Sequence, residues 1–399
     1  MVIDAVVVGA GPAGLAASAA LTARGVEHVV LERGRVGESW RAQRWDSFRL
    51  NTPGWMNQLL GDQASGAYAT GVEVVQRLEK LAADCPVREG VRVVRLASAG
   101  EGYILRPDGG DDIAARAVVV ATGDQNLPQV PALAGRFPER VARHHTAGYR
   151  GPGQLPHGAV LVVGSAQSGC QVAEDLLAAG RRVLLATSPV GRVPFRYRGR
   201  DATDWMVGAG FFDQRPRDLP DPSVMRAAPP ILAPGRGLSL QGLARAGATL
   251  VGRPVAVDGE VVSFEGSAEA NVAAGDAFAA RVRAMVDEIV RRRGLDAPAA
   301  EPDDNDAPVD LDPPMSLDLR AQQVGSVVWC TGFTGDFSWL DPALVDADGQ
   351  PRHQDAAAAA PGVWWVGLRW LIRRRSSLLF GFPDDAATVA DAVRAHLSA

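Results

Sequence analysis

Apolar residues fall in short runs broken by small-residue turns, and the first run sets the scheme. Ala5 to Val8 leads into Gly9-Ala10-Gly11-Pro12-Ala13-Gly14, and an Ala- and Leu-rich stretch ending near Gly25 follows. A short apolar run predicts a buried strand and the stretch behind it a helix. A second strand, His28 to Leu31, ends on Glu32. The scheme repeats with Ala159 to Val163 as strand, Gly164-Ser165-Ala166-Gln167-Ser168-Gly169 as turn, Cys170 to Ala179 as helix and Arg182 to Ala186 as the next strand. Two further buried strands, Ala117 to Val120 and Val324 to Trp329, each run into a small-residue junction, Ala121-Thr122-Gly123 and Cys330-Thr331-Gly332. Val72 to Ala83 reads as a helix, and Val91 to Leu96 with Gly102 to Pro107 as a meander. Val272, Phe278, Val282, Met285, Val286 and Ile289 recur at helical spacing and predict one amphipathic helix from Ala268 to Arg293, closed by Gly294. Val363 to Leu368 is a strand, and Asp385 to Leu397 closes the chain as a helix.

Strands alternating with helices define an α/β fold. Because the strand, turn and helix unit occurs twice, the expected architecture is two Rossmann-like dinucleotide-binding domains, the second inserted in the first. Residues 1–152 and 325–399 form the first and residues 153–324 the second. Within the second, 201–250 lacks any period and reads as loop-rich cover over a pocket, and 296–314, dense in Pro, Asp and Ala, reads as an exposed linker. A chain of 399 residues exceeds one core, in agreement with this division.

Composition narrows the function classes. A net charge of −5, with arginines in short clusters, argues against a nucleic-acid surface. The three cysteines, Cys85, Cys170 and Cys330, form no C-x-x-C pair for redox or metal work, and a reducing cytoplasm fits them best. The opening apolar run is interrupted by glycines and Pro12, unlike a secretory leader, and no apolar stretch is long enough to span a bilayer. The chain is expected to bind neither membrane nor metal.

The glycine turns carry the candidate chemistry. Gly9 allows the turn, Gly11 lets a pyrophosphate approach the backbone, and Gly14 lets helix sit on strand, so the diphosphate meets free N–H groups at the helix start. Glu32 stands about twenty residues on, where a ribose 2′-hydroxyl is gripped. In the second motif Ala166 replaces the middle glycine and narrows the approach by a methyl group. The following strand ends not in an acid but in Thr187-Ser188, with Arg192, Arg196, Arg198 and Arg200 beyond. Hydroxyls and guanidinium groups suit a 2′-phosphate, so NADPH is preferred over NADH. Between the first motif and its junction lies a loop with Trp40, Trp45 and Trp55, on which a flat polar group could rest.

Paired dinucleotide motifs, each with a Thr-Gly junction, resemble the two-dinucleotide-binding-domain flavoproteins, and the match is closest to the class B flavin-containing monooxygenases over nearly the whole chain. The family fingerprint F-x-G-x-x-x-H-x-x-x-(Y/W/F) corresponds to the segment from Phe137 to Tyr149; His145 and Tyr149 keep the spacing, whereas Phe137 lies two residues too far upstream. Gly37-Glu38-Ser39-Trp40 is similar to the family's G-G-x-W loop, and Leu50-Asn51-Thr52-Pro53 to the segment that sets an Asn beside the flavin. In layout the plant enzymes that turn indole-3-pyruvate into auxin are similar.

The resemblance implies FAD on Gly9, Gly11, Pro12, Ala13, Gly14, Glu32, Arg33, Ser39, Trp40, Leu50, Thr52, Ala121, Thr122 and Gly123. It implies NADPH on Gly164, Ser165, Ala166, Gln167, Ser168, Gly169, Thr187, Ser188, Arg192 and Arg196, with Cys330, Thr331 and Gly332 at the second junction. Asp385, at the start of the last helix, is expected to face the isoalloxazine edge, and Asn51 to steady a flavin C4a-hydroperoxide that passes one oxygen from O2 to a small organic substrate. Tyr149 in place of Trp makes the Baeyer–Villiger reaction the less favoured variant. Two other outcomes stay open: a reductase or oxidase that sends electrons to a quinone, a partner protein or O2, and a flavin-binding sensor without turnover. A homodimer is equally compatible with the sequence.

Overall fold

The computed structural model describes residues 2–61 and 66–399. The chain begins with β1 (Val2–Val8), α1 (Pro12–Thr22) and β2 (His28–Leu31). It continues through α2 (Gly71–Ala82), whose capping box pairs Thr70 with Glu73, and a meander, to β3 (Ile113–Val120). A second series follows: β4 (Ala142–His145), β5 (Ala159–Val163), α3 (Gln167–Ala178), β6 (Val183–Ala186) and β7 (Thr249–Val251). Then come α4 (Ala268–Arg293), β8 (Val324–Trp329), β9 (Val363–Trp365) and α5 (Phe382–Leu397).

The strands named here sort into two sheets, the second wholly parallel and the first parallel at its centre with antiparallel strands added to it. In the first the order β9-β3-β1-β2 continues to Val87–Arg88. In the second it is β7-β6-β5-β8-β4. Val6 and Val7 on β1, and Val160 to Val162 on β5, have no exposed surface, as strands covered on both faces require. One sheet is nested in the chain of the other, as the repeated motif predicts.

Several details differ from the sequence reading. β4 and residues 325–329 of β8, placed at the edges of the first domain, hydrogen-bond into the second sheet, since Val328 pairs with His144 and Val162. The 201–250 segment is not wholly irregular: it holds helices at Ala202–Gly208 and at Leu240–Arg245, where the Ser239 Oγ caps the Gly242 N–H. The last helix starts a turn earlier than Asp385, because Pro383 fits the first helical turn. The acidic linker is fastened rather than solvated: Asp303 and Asp306 form a short turn that grips Arg192 and Arg283. No described helix is long and apolar enough to cross a membrane.

Candidate functional site

In both sheets the central strand ends in a glycine held against the neighbouring strand's junction. Gly9 has φ +107, and a Cβ there would stand 2.8 Å from the Ala121 carbonyl oxygen; Gly164 has φ +104, and its Cβ would stand 2.5 Å from that of Cys330. Only glycine fits such contacts at positive φ. Gly14 and Gly169 bring helix onto strand, since a Cβ on either would meet the carbonyl oxygen of Gly9 or Gly164 at 1.8 and 1.7 Å. These two glycines work by packing and do not line the cleft. Gly11 has nothing within 4 Å of its missing Cβ, so the backbone ahead of α1 faces open space. Ala166 caps α3 with φ −75 and ψ −170, close to the −78 and −177 of Gly11, and its methyl stands where that space would be.

The two crevices open into one cleft of about 1400 Å³, beyond the range of about 300–1,000 Å³ for a single small ligand. Gly9, Gly11, Pro12, Ala13, Glu32, Arg33, Ser39, Trp40, Leu50, Asn51, Thr52 and the Ala121 to Gly123 junction line one arm. Gly164 to Ser168, Thr187, Ser188 and the Cys330 to Gly332 junction line the other. Glu32 is buried and accepts from the Ala10 N–H at 2.7 Å and the Gly34 N–H at 2.9 Å, which ties the end of β2 to the glycine turn. Thr122 Oγ1 and Gln43 Oε1, both on cleft residues, are buried without a hydrogen-bond partner. Buried polar atoms are nearly always paired, so these two mark places prepared for a ligand.

Asn51 joins the arms. Its Nδ2 donates to Gln167 Oε1 at 2.9 Å and its Oδ1 accepts from Gln171 Nε2 at 2.7 Å. The two glutamines also donate to the carbonyls of Pro230 and Leu232, so the carboxamide is locked to α3 and to the loop beyond it. Nearby, Trp45 is buried in the core of the second sheet, and Ser47 and Tyr149 both donate to Asp175, at 2.8 and 2.7 Å. His145 accepts from the Ala147 N–H on Nδ1, so its Nε2–H donates to the Gly332 carbonyl, and burial lowers its pKa, which keeps the ring neutral. The fingerprint pair thus fastens loop and junction rather than facing the cleft. Arg44 lies over the rings of Trp40 and Phe48, and burial pulls its pKa down to about 10.

Other expectations are corrected. Arg192 is only 2% exposed and bonds to Asp276, Asp303 and Asp306; it is a buried structural charge. Arg196 points to the Gly199 carbonyl, Arg198 pairs with Asp287 and Arg200 with Asp204, and none of the four lines the cleft. Thr187 donates to the Val251 carbonyl and accepts from Asn271, and Thr331 donates to the Gln129 carbonyl, so both hydroxyls are spent on the fold. Asp385 is buried away from the cleft, with Oδ2 unpartnered. Among the basic groups missed is Arg253, which pairs with the partly exposed Glu265 and lines the cleft just beyond β7, itself paired with the strand that ends before Ser188. Its only signal was position: it follows the strand next to β6. Among the described residues no cluster of His, Cys, Asp or Glu has metal-site geometry. Burial raises the pKa of the Cys330 thiol to about 12 and that of Cys170 further.

Comparison with known proteins agrees with this geometry. Residues 6–192 match the pyridine nucleotide-disulphide oxidoreductase family. An uncharacterized CzcO-like oxidoreductase of Geobacillus kaustophilus is 27% identical over 404 residues, 99% of each chain. The indole-3-pyruvate monooxygenase YUCCA1 of Oryza sativa is 37% identical over 186 residues, 45% of this chain and 46% of that protein. The flavin-containing monooxygenase from Stenotrophomonas maltophilia superposes with a TM-score of 0.66 at 20% identity over 99% of both chains. The chain is therefore an oxidoreductase of the two-dinucleotide-binding class. Within that class its likeness is to the flavin monooxygenases.

Proposed function

We propose that this protein is an NADPH-dependent flavin monooxygenase that transfers one atom of O2 to a small organic substrate. The observation that carries the reading is the single cleft fed by two helix-terminal crevices, with the Asn51 carboxamide fixed where they meet. FAD belongs to the first arm. The open backbone before α1 admits its pyrophosphate, and Glu32 keeps acceptor capacity for a ribose hydroxyl beyond its two N–H bonds. NADPH belongs to the second arm, where Ser188 and Arg253 offer a hydroxyl and a guanidinium for the 2′-phosphate. Bound FAD supplies the oxygen chemistry and NADPH the two electrons. The chain holds both rings in register, offers the Asn51 amide to the developing charge, and keeps water out with the aromatic and apolar side chains of the cleft.

Cys170 and Cys330 favour this over reduction of a disulfide, since both are buried with raised pKa and supply no thiolate, and the half-buried Cys85 does not line the cleft. The purified flavoprotein, mixed with NADPH and O2 and a panel of substrates, should consume NADPH, O2 and substrate in equal amounts. Consumption ending wholly in H2O2 across the panel would instead identify an oxidase.

A further inference from the structure

One wall of the cleft is built unlike the rest. Phe211, Phe212, Phe278, Trp370 and Arg374 line it, and the Arg374 guanidinium lies 4.0 Å from the centroid of Phe211 and 4.4 Å from that of Trp370. Its neighbours Arg373 and Arg375 share the carboxylates of Asp213 and Asp384. Arg374 has no carboxylate partner among the described residues and bonds only the neutral Gln214 amide, with Nε and Nη2 on Oε1 at 3.0 and 2.8 Å. Two more guanidinium groups, Arg226 and Arg369, line the same part of the cleft; Arg369 bonds only main-chain carbonyls. Arg226 has Asp221 near it, and Asp124, whose pKa burial raises, faces Arg369. Trp370 itself is held at φ +56, a left-handed conformation costly for a bulky side chain. The backbone therefore accepts strain to present this wall. A half-buried cation between two ring faces, with one edge on a neutral amide and no counter-ion, has had its water only partly replaced.

We infer that Arg374 is the anchor of an anion subsite in the aromatic wall, and that the substrate is a flat apolar molecule bearing a carboxylate. The rings take the apolar body and the free edge of the guanidinium fork takes the two oxygens. The inference rests on the oxygenase reading only in calling this ligand the substrate.

The test is binding without turnover. FAD-loaded protein with saturating NADP+, in the absence of NADPH, is titrated calorimetrically with 2-naphthoate and 3-phenylpropanoate and with their neutral primary amides. The acids should bind about tenfold or more tighter than the amides, the discrimination of one charge-assisted contact. R374Q should abolish that difference while leaving amide affinity and flavin content unchanged, and R374K should keep part of it. Equal affinity of acid and amide in the unaltered protein overturns the proposal and needs no variant to fold. So does a discrimination that survives in R374Q, or an R374Q that loses NADP+ rather than the acids, which would assign the guanidinium to the nucleotide. Failure of the oxygenase reading appears separately, as H2O2 in place of oxygenated product.

Discussion

Asn51 on the loop after the first dinucleotide motif donates to Gln167, the first residue of the second motif's helix, across 2.9 Å. One carboxamide thus spans the two nucleotide arms, and Gln171 fixes which of its ends faces which partner. In Asn51→Ala the reduction of flavin by NADPH should proceed, but the share of electrons reaching substrate should fall about tenfold, the worth of one directed hydrogen bond to developing charge. The missing share should appear as H2O2. Product and peroxide counted per NADPH decide it; unchanged coupling would remove Asn51 from the reaction.

Arg192 and Arg253 exchange the roles their positions imply. Arg192→Met should lower stability by about 2–3 kcal/mol, less than the roughly 3–5 kcal/mol of breaking a fully buried ion pair, because Asp276 and Asp306 are 44% and 42% exposed and can turn to water. The Michaelis constant for NADPH should stay as it was. Arg253→Ala should do the reverse: an unchanged melting temperature, since its pair with Glu265 is exposed, and a preference for NADPH over NADH reduced about tenfold. A shift in cofactor preference with Arg192→Met and none with Arg253→Ala would overturn both assignments.

What could be read from the chain and what could not divide along sequence separation. Gly9, Gly14, Gly164, Gly169 and Glu32 act on residues nearby in sequence or on a neighbouring strand end, so spacing alone reports them. Arg192 meets acids 84, 111 and 114 positions away, and no local pattern announces that a basic residue in a loop will be claimed by a distant helix and turn. The same holds for Asn51: its position was legible, its partners 116 and 120 residues on were not. Arg253 escaped because its value comes from strand order, β7 beside β6, which only pairing reveals.

The glycines of the first motif separate folding from binding. Gly14→Ala sets a methyl 1.8 Å from the Gly9 carbonyl oxygen, which neither backbone can yield, and should give no soluble folded protein. Gly11→Ala meets nothing in the chain and should fold. Its methyl enters the space a pyrophosphate needs, so the protein should be recovered colourless or with FAD weakened about tenfold or more. The mirror change, Ala166→Gly, should tighten NADPH. Absorbance at the flavin band after gel filtration and a titration with NADP+ read all three; a yellow Gly11→Ala with full flavin would sink the pyrophosphate assignment.

Asp385 ties stability to pH. Burial raises its carboxyl pKa to about 6, with relief only from the Ser376 hydroxyl and from the Arg373 and Arg375 charges, and Oδ2 is unpartnered. The sign follows from proton counts. Below the ordinary value of 3.8 the group is protonated in folded and unfolded chains alike and contributes nothing. Between 3.8 and about 6 the unfolded chain has lost the proton and the folded one keeps it, so stability falls as pH rises; above about 6 the penalty is constant. Its upper bound is about 3 kcal/mol, because a tenfold difference in proton affinity between the folded and unfolded chains is worth about 1.4 kcal/mol. Asp385→Asn keeps an acceptor for Ser376 and removes the charge, so it should raise the melting temperature at pH 7.5 by several degrees and leave it nearly unchanged at about pH 4. Because Asp385 lies away from the cleft, NADPH oxidation should be preserved in the variant. A gain equal at both pH values would assign the effect to packing and not to the buried charge. A variant stable but unable to oxidise NADPH would return Asp385 to the flavin edge.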